Sequence, residues 1–195
     1  MKSASIPTHS NTPAISNGVF GMSLFVAVEI LFFAGLLSAY VVTRQSITEW
    51  PPPDQPRLPI PVTLFNTLML FVSGVFMYLA NKNRQPADIA SGKFTKLFGL
   101  SILFGSLFLC IQGWEWVQLI RHGLTLHSSI YGSTFYVIVG AHGVHVLGAL
   151  LFMALILLGL LSRKKIVQDH FDAAQVFWYF VVGVWPIIFV LLYVL

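Results

Sequence analysis

Apolar residues fall into five long runs, near 19–42, 62–80, 97–120, 130–161 and 173–195, with most prolines and charges gathered between them. A bilayer is crossed by about 20 helical residues, so each run is long enough to span one. The pattern predicts an all-α fold, an integral membrane bundle of five transmembrane helices. At about 1.5 Å per residue the fourth run reaches roughly 48 Å, more than a hydrocarbon core, so it should tilt or protrude. The segment from Arg44 to Pro61 carries prolines that remove backbone donors and predict a surface loop. No internal repeat or separate soluble domain is visible. The expected organisation is a cytoplasmic tail, 1–17, and one transmembrane domain, 18–195.

Composition agrees: 56% of residues are hydrophobic and 9% charged, outside the range of soluble globular domains. The formal charge of +4 informs more through its distribution than its sum. Alternating crossings put Lys2, Lys82, Arg84, Lys93, Lys96, Arg163, Lys164 and Lys165 on one side, and Arg44, Arg57 and Arg121 on the other. Basic residues collect on the cytoplasmic side, so the N-terminus is expected inside and the C-terminus outside. The first 17 residues are polar and read as no signal peptide, leaving the first helix to direct insertion. Nothing suggests nucleic-acid binding. The lone Cys110, in an apolar run, excludes an internal disulfide and is expected to be a small core residue.

Candidate chemistry lies inside the runs. Glu29, ten residues into the first, sits about 15 Å deep. A carboxyl there must be protonated or paired; it is either a neutral interhelical hydrogen-bonding group or a participant in proton handling or subunit packing. His142 and His145 share one face of the fourth run. They are either hydrogen-bonded packing residues or a functional site. Ala141, Gly148 and Ala149 flank His145 and would let a neighbouring helix approach. By depth Glu29 can reach either histidine, and the small residues favour His145, through a neutral histidine donating to a carboxylate or through an ion pair. Trp114, Glu115 and Trp116 near the outer end of the third run, beside Gln112, read as interface anchors. No metal site is expected: only two histidines lie in a run, on one helix, and no repeated Glu-x-x-His motif is present.

The stretch E-I-L-F-F-A-G-L-L-S-A-Y with Glu29, the W-P-P-P loop at Trp50, L-F-N-T-L-M-L-F-V-S-G with Asn66 and Thr67, and Y-G-S-T-F-Y-V-I-V-G-A-H-G-V-H-V-L-G-A resemble subunit III of the haem–copper oxidases. The likeness is to the five-helix form, without the first two helices of the seven-helix version. It implies a non-catalytic subunit of the cell's inner (plasma) membrane, packed on subunit I and other oxidase subunits. Haem and copper are expected in those partners and none in this chain. It implies phospholipid held in a cleft and support of proton uptake during oxygen reduction, with Glu29 as the membrane carboxylate, His142 and His145 as the paired histidines, and Arg163 holding a lipid phosphate. The last helix departs from the family pattern: Tyr179 stands where histidine is common and Val182 where aspartate is. Accessory subunits of quinol oxidases or nitric oxide reductases are the alternative within this likeness. A small independent proton channel or transporter using Glu29 and His145 is a third reading, disfavoured by the lack of an inverted repeat.

Overall fold

The computed structural model describes residues 16–53, 55–85, 89, 92–162 and 168–195. Among these, five helices are long and apolar enough to cross a membrane, and no strand occurs. They are α1 (Asn17–Gln45), α2 (Ile60–Lys82), α3 (Lys93–Arg121), α4 (Ile130–Leu161) and α5 (Gln168–Phe189), the last continuing as a π-helical turn, Val190–Val194.

Local chemistry explains the ends. Ser16 and Ser129 sit in extended conformation before α1 and α4, and their hydroxyls accept from the amides of Val19 and Gly132, satisfying donors that a helix start leaves free. Pro61 lies in the first turn of α2, where its missing N–H costs nothing. Helices α1, α3 and α5 begin or end several residues beyond the apolar runs. Hydropathy marks the part in hydrocarbon, whereas helical hydrogen bonding continues through polar residues such as Thr43, Arg44 and Lys93.

Helix α5 lies at the centre, packed against α1, α4 and α2, while α2 and α3 form the most extensive pair. Trp178 and Trp185 of α5, with Phe33, Phe98, Phe108, Phe135 and Phe171, are the largest fully buried side chains. Gly105 on α3 makes room for Trp178: a Cβ there would stand 2.6 Å from the indole. Helix α1 rests mainly on α5 and touches α4 little. At the end where α2 finishes, Arg84 pairs with Asp172 and lies over the Phe171 ring. At the other end Trp50 packs edge-on between Tyr40 and Tyr131, seating the proline-rich loop. Outward faces are apolar, as at Leu31, Val144 and Leu155, the surface a bilayer requires. Cys110 also faces outward, exposed and not in the core as expected; its neighbours Phe108 and Gln112 take the inward face of α3.

Candidate functional site

Glu29 of α1 and His145 of α4 meet across the narrow α1–α4 gap, with Oε2 2.8 Å from Nε2. Both side chains are about five-sixths buried, 16% and 15% exposed. Four phenylalanines, Phe32 and Phe33 from α1 and Phe177 and Phe180 from α5, set their rings around the imidazole at centroid distances of 5.2–6.4 Å. The other ring nitrogen, Nδ1, lies 2.7 Å from the Ala141 carbonyl.

That second contact decides the proton count. A carbonyl oxygen only accepts, so Nδ1 carries a proton. If the imidazole is neutral, Nε2 has no hydrogen and must accept, which requires Glu29 to be the protonated donor. If it is imidazolium, Nε2 donates to a carboxylate. A neutral histidine donating to a carboxylate, one of the two expected arrangements, is therefore excluded: its single hydrogen is already given to Ala141. In both surviving states the pair shares one proton and has no net charge, which limits its cost in a low-dielectric interior.

Of the small residues expected to admit a neighbouring helix beside His145, Ala149 is buried while Gly148 is open. Gly148 meets nothing within 4 Å of where a Cβ would stand. The α4 glycine with no room for a side chain is Gly132, where a Cβ would stand 2.3 Å from the Thr125 carbonyl oxygen, whereas at Gly143 a Cβ would meet the Trp116 ring at 3.4 Å, an ordinary contact. His145 reaches Glu29 because its own side chain spans the gap.

His142 takes a separate place. It is fully buried and stacks on Trp185, with ring centroids 4.9 Å apart and planes at 27°. Phe108 and Phe33 meet it edge-on. Neither ring nitrogen has a hydrogen-bond partner among the described residues. It does not join Glu29.

The larger polar assembly lies between α2 and α3. Glu115, 1% exposed, accepts from Thr63 Oγ1 at 3.0 Å and from Gln112 Nε2 at 2.8 Å. Gln112 also donates to Tyr193 Oη, and Asn66 donates to the Phe108 carbonyl. Trp185 donates to Thr67 Oγ1, which in turn donates to the Thr63 carbonyl. Deeper along the same seam Ser73 and Ser101 exchange hydroxyl-to-carbonyl bonds. The expected trio of anchors thus separates. Trp114 is 56% exposed on the outward face. Glu115, one helical position on, turns inward, and Trp116 packs against α4 beside Tyr136. Successive residues are rotated by about 100°, so neighbours in sequence cannot share one face.

This seam was not recognised from the sequence. Its signal is there in the spacing: Thr63, Asn66, Thr67 and Ser73 on α2, and Ser101, Gly105, Gln112 and Glu115 on α3, recur at helical intervals along one stripe. Arg163, the candidate lipid-phosphate residue, lies outside the described residues. No group of three histidines, cysteines, aspartates or glutamates among the described residues could hold a metal ion.

The fold and these sites define a multi-pass helical membrane protein that holds, among the described residues, a carboxyl–imidazole pair and a polar interhelical seam between its helices. The model of the cytochrome c oxidase subunit III family matches residues 2–195, and the chain belongs to that family. It is 34% identical to cytochrome c oxidase subunit 3 of Corynebacterium diphtheriae, over 89% of this chain and 85% of the relative. Identity to the subunit 3 of Synechocystis is 33%, covering 91% and 75%. For that of Pelomedusa subrufa it is 32%, covering 94% and 72%.

Proposed function

We propose that this chain is the non-catalytic subunit III of a haem–copper terminal oxidase, seated on subunit I in the cell membrane with its N-terminus inside and its C-terminus outside. The observation that carries this reading is the family match along the whole length, from residue 2 to residue 195, in a chain with five membrane-crossing helices. Haem and copper belong to the partner subunits. In this reading Glu29 and His145 form a one-proton site at membrane depth that sustains proton uptake during oxygen reduction, and Arg163 holds a lipid phosphate at the basic end of α4. Intramembrane acids with a partner usually mark such roles.

The test is purification through a tag on this chain from gently solubilised membranes. A haem- and copper-bearing large subunit should accompany it in stoichiometric amount, and the chain separated from that partner should show no Soret band. Glu29→Gln should leave the complex assembled, because an amide N–H can still donate to Nε2, while lowering proton-coupled turnover. An accompanying complex without haem, or full turnover in that variant, would remove the respective part of the reading.

A further inference from the structure

Helix α5 is buried on most sides but keeps one open stripe, Tyr179, Gly183, Ile187 and Val190, recurring every three or four residues. Beside it Ile30, Ala34 and Leu37 of α1 wall a groove of about 460 Å³. Nothing lies within 4 Å of where a Gly183 Cβ would be, so the floor of the groove is notched. Tyr179 lies at the depth of Glu29: Phe25 meets Phe177 and Phe33 meets Phe180, which brackets both residues at one level.

The polar groups on this face decide what covers it. Gln175 Nε2 donates to Tyr179 Oη at 3.0 Å, and the phenol is 37% exposed. The hydroxyl's own hydrogen meets no acceptor among the described residues. Turning the Gln175 amide over would give that hydrogen an acceptor but leave the amide donors unmatched. In either orientation at least one donor faces outward at membrane depth, where acyl chains offer no acceptor.

We propose that the α1–α5 groove seats a transmembrane helix of a partner subunit, which approaches closely over Gly183 and presents a hydrogen-bond acceptor to the Tyr179–Gln175 pair. Small residues at the contact and a polar group as a tie are how helices associate in lipid. The proposal rests on the chain being a subunit of an oxidase complex.

The experiment places a photo-crosslinking benzoylphenylalanine at Ile187 in the tagged chain and irradiates the intact solubilised complex. The expected product joins this chain to another subunit, and adding Gly183→Leu, which fills the notch, should abolish it. Tyr179→Phe, which removes only the hydroxyl, should cause a several-fold drop in the share of this chain retained during detergent washing. An adduct with lipid alone, or with a second copy of this chain, overturns the proposal even if haem-bearing subunits co-purify, and so does unchanged retention of Tyr179→Phe. Purified material lacking an oxidase altogether overturns both this proposal and the function on which it rests.

Discussion

His142 lies nearly parallel to Trp185, ring centroids 4.9 Å apart, with both imidazole nitrogens unpartnered among the described residues. Its stacking contributes about 0.5–1.5 kcal/mol. Burying an unsatisfied polar group costs about 1–3 kcal/mol. The second term is the larger, so His142→Leu should leave the complex as stable in detergent or raise its thermal midpoint. A fall of several degrees in a differential scanning measurement would show that the imidazole has a partner and that the stack is secondary.

The opposite holds three residues on. His145 is hydrogen-bonded through both nitrogens, so Glu29→Leu strands one of them and should cost about 1–3 kcal/mol. Adding His145→Leu should recover part of that loss, giving a non-zero coupling in the double-mutant cycle. The charged form of the pair bears a desolvation cost that its neutral form avoids. Infrared difference spectra between the complex and Glu29→Gln distinguish the two states: loss of a carboxylic-acid carbonyl band marks the neutral pair, loss of a carboxylate band the ion pair. Strictly additive losses in the cycle would count against the pairing.

Two glycines offer a packing test. At Gly105 a Cβ would collide with the fully buried Trp178 ring at 2.6 Å, and rigid aromatic neighbours cannot yield as a flexible chain end can. Gly105→Ala should destabilise by about 1–3 kcal/mol. At Gly148, where nothing stands within 4 Å, the same change should be neutral or stabilise by up to about 1 kcal/mol through helix propensity. Thermal midpoints of the two variants, compared side by side, should move in opposite directions or differ by several degrees.

The reach of sequence reading follows from what each signal encodes. Hydropathy reports contact with hydrocarbon, so five crossings were legible and α4 was bounded at Ile130 and Leu161 as observed. The depth argument brings Glu29 to the level of His145, whereas Gly148, one of the three small residues read as admitting a neighbouring helix, meets nothing within 4 Å of where a Cβ would stand. A one-dimensional pattern cannot tell which of two facing stripes receives a large ring, and so it missed Trp116 against Gly143 and Trp178 against Gly105. Adjacent aromatic and acidic residues were grouped as anchors because they are adjacent, although the helix sends each to a different side.

Trp114 and Glu115 turn that difference into a final measurement. Trp114 is half exposed with its ring outward, so Trp114→Ala should alter stability by less than about 1 kcal/mol, as surface changes do. Glu115 is buried and accepts from Thr63 and Gln112. Glu115→Leu removes both acceptors at once, leaving the Gln112 amide only the weaker 3.3 Å contact to Tyr193 and setting an apolar group into a polar seam. Individual hydrogen bonds between membrane helices average only about 0.6 kcal/mol, and of the two only Thr63–Glu115 crosses from α2 to α3, Gln112 and Glu115 both lying on α3, so the bonds alone account for about 1 kcal/mol. The Thr63 hydroxyl keeps the Pro59 carbonyl as acceptor, so one Gln112 amide hydrogen is left unmatched; its desolvation penalty brings the total to about 2–3 kcal/mol. Glu115→Gln, which keeps an acceptor oxygen and the side-chain volume, should recover most of it. Equal loss in Glu115→Leu and Trp114→Ala, read as detergent-induced unfolding of the complex, would place Glu115 at the membrane surface and not in the seam.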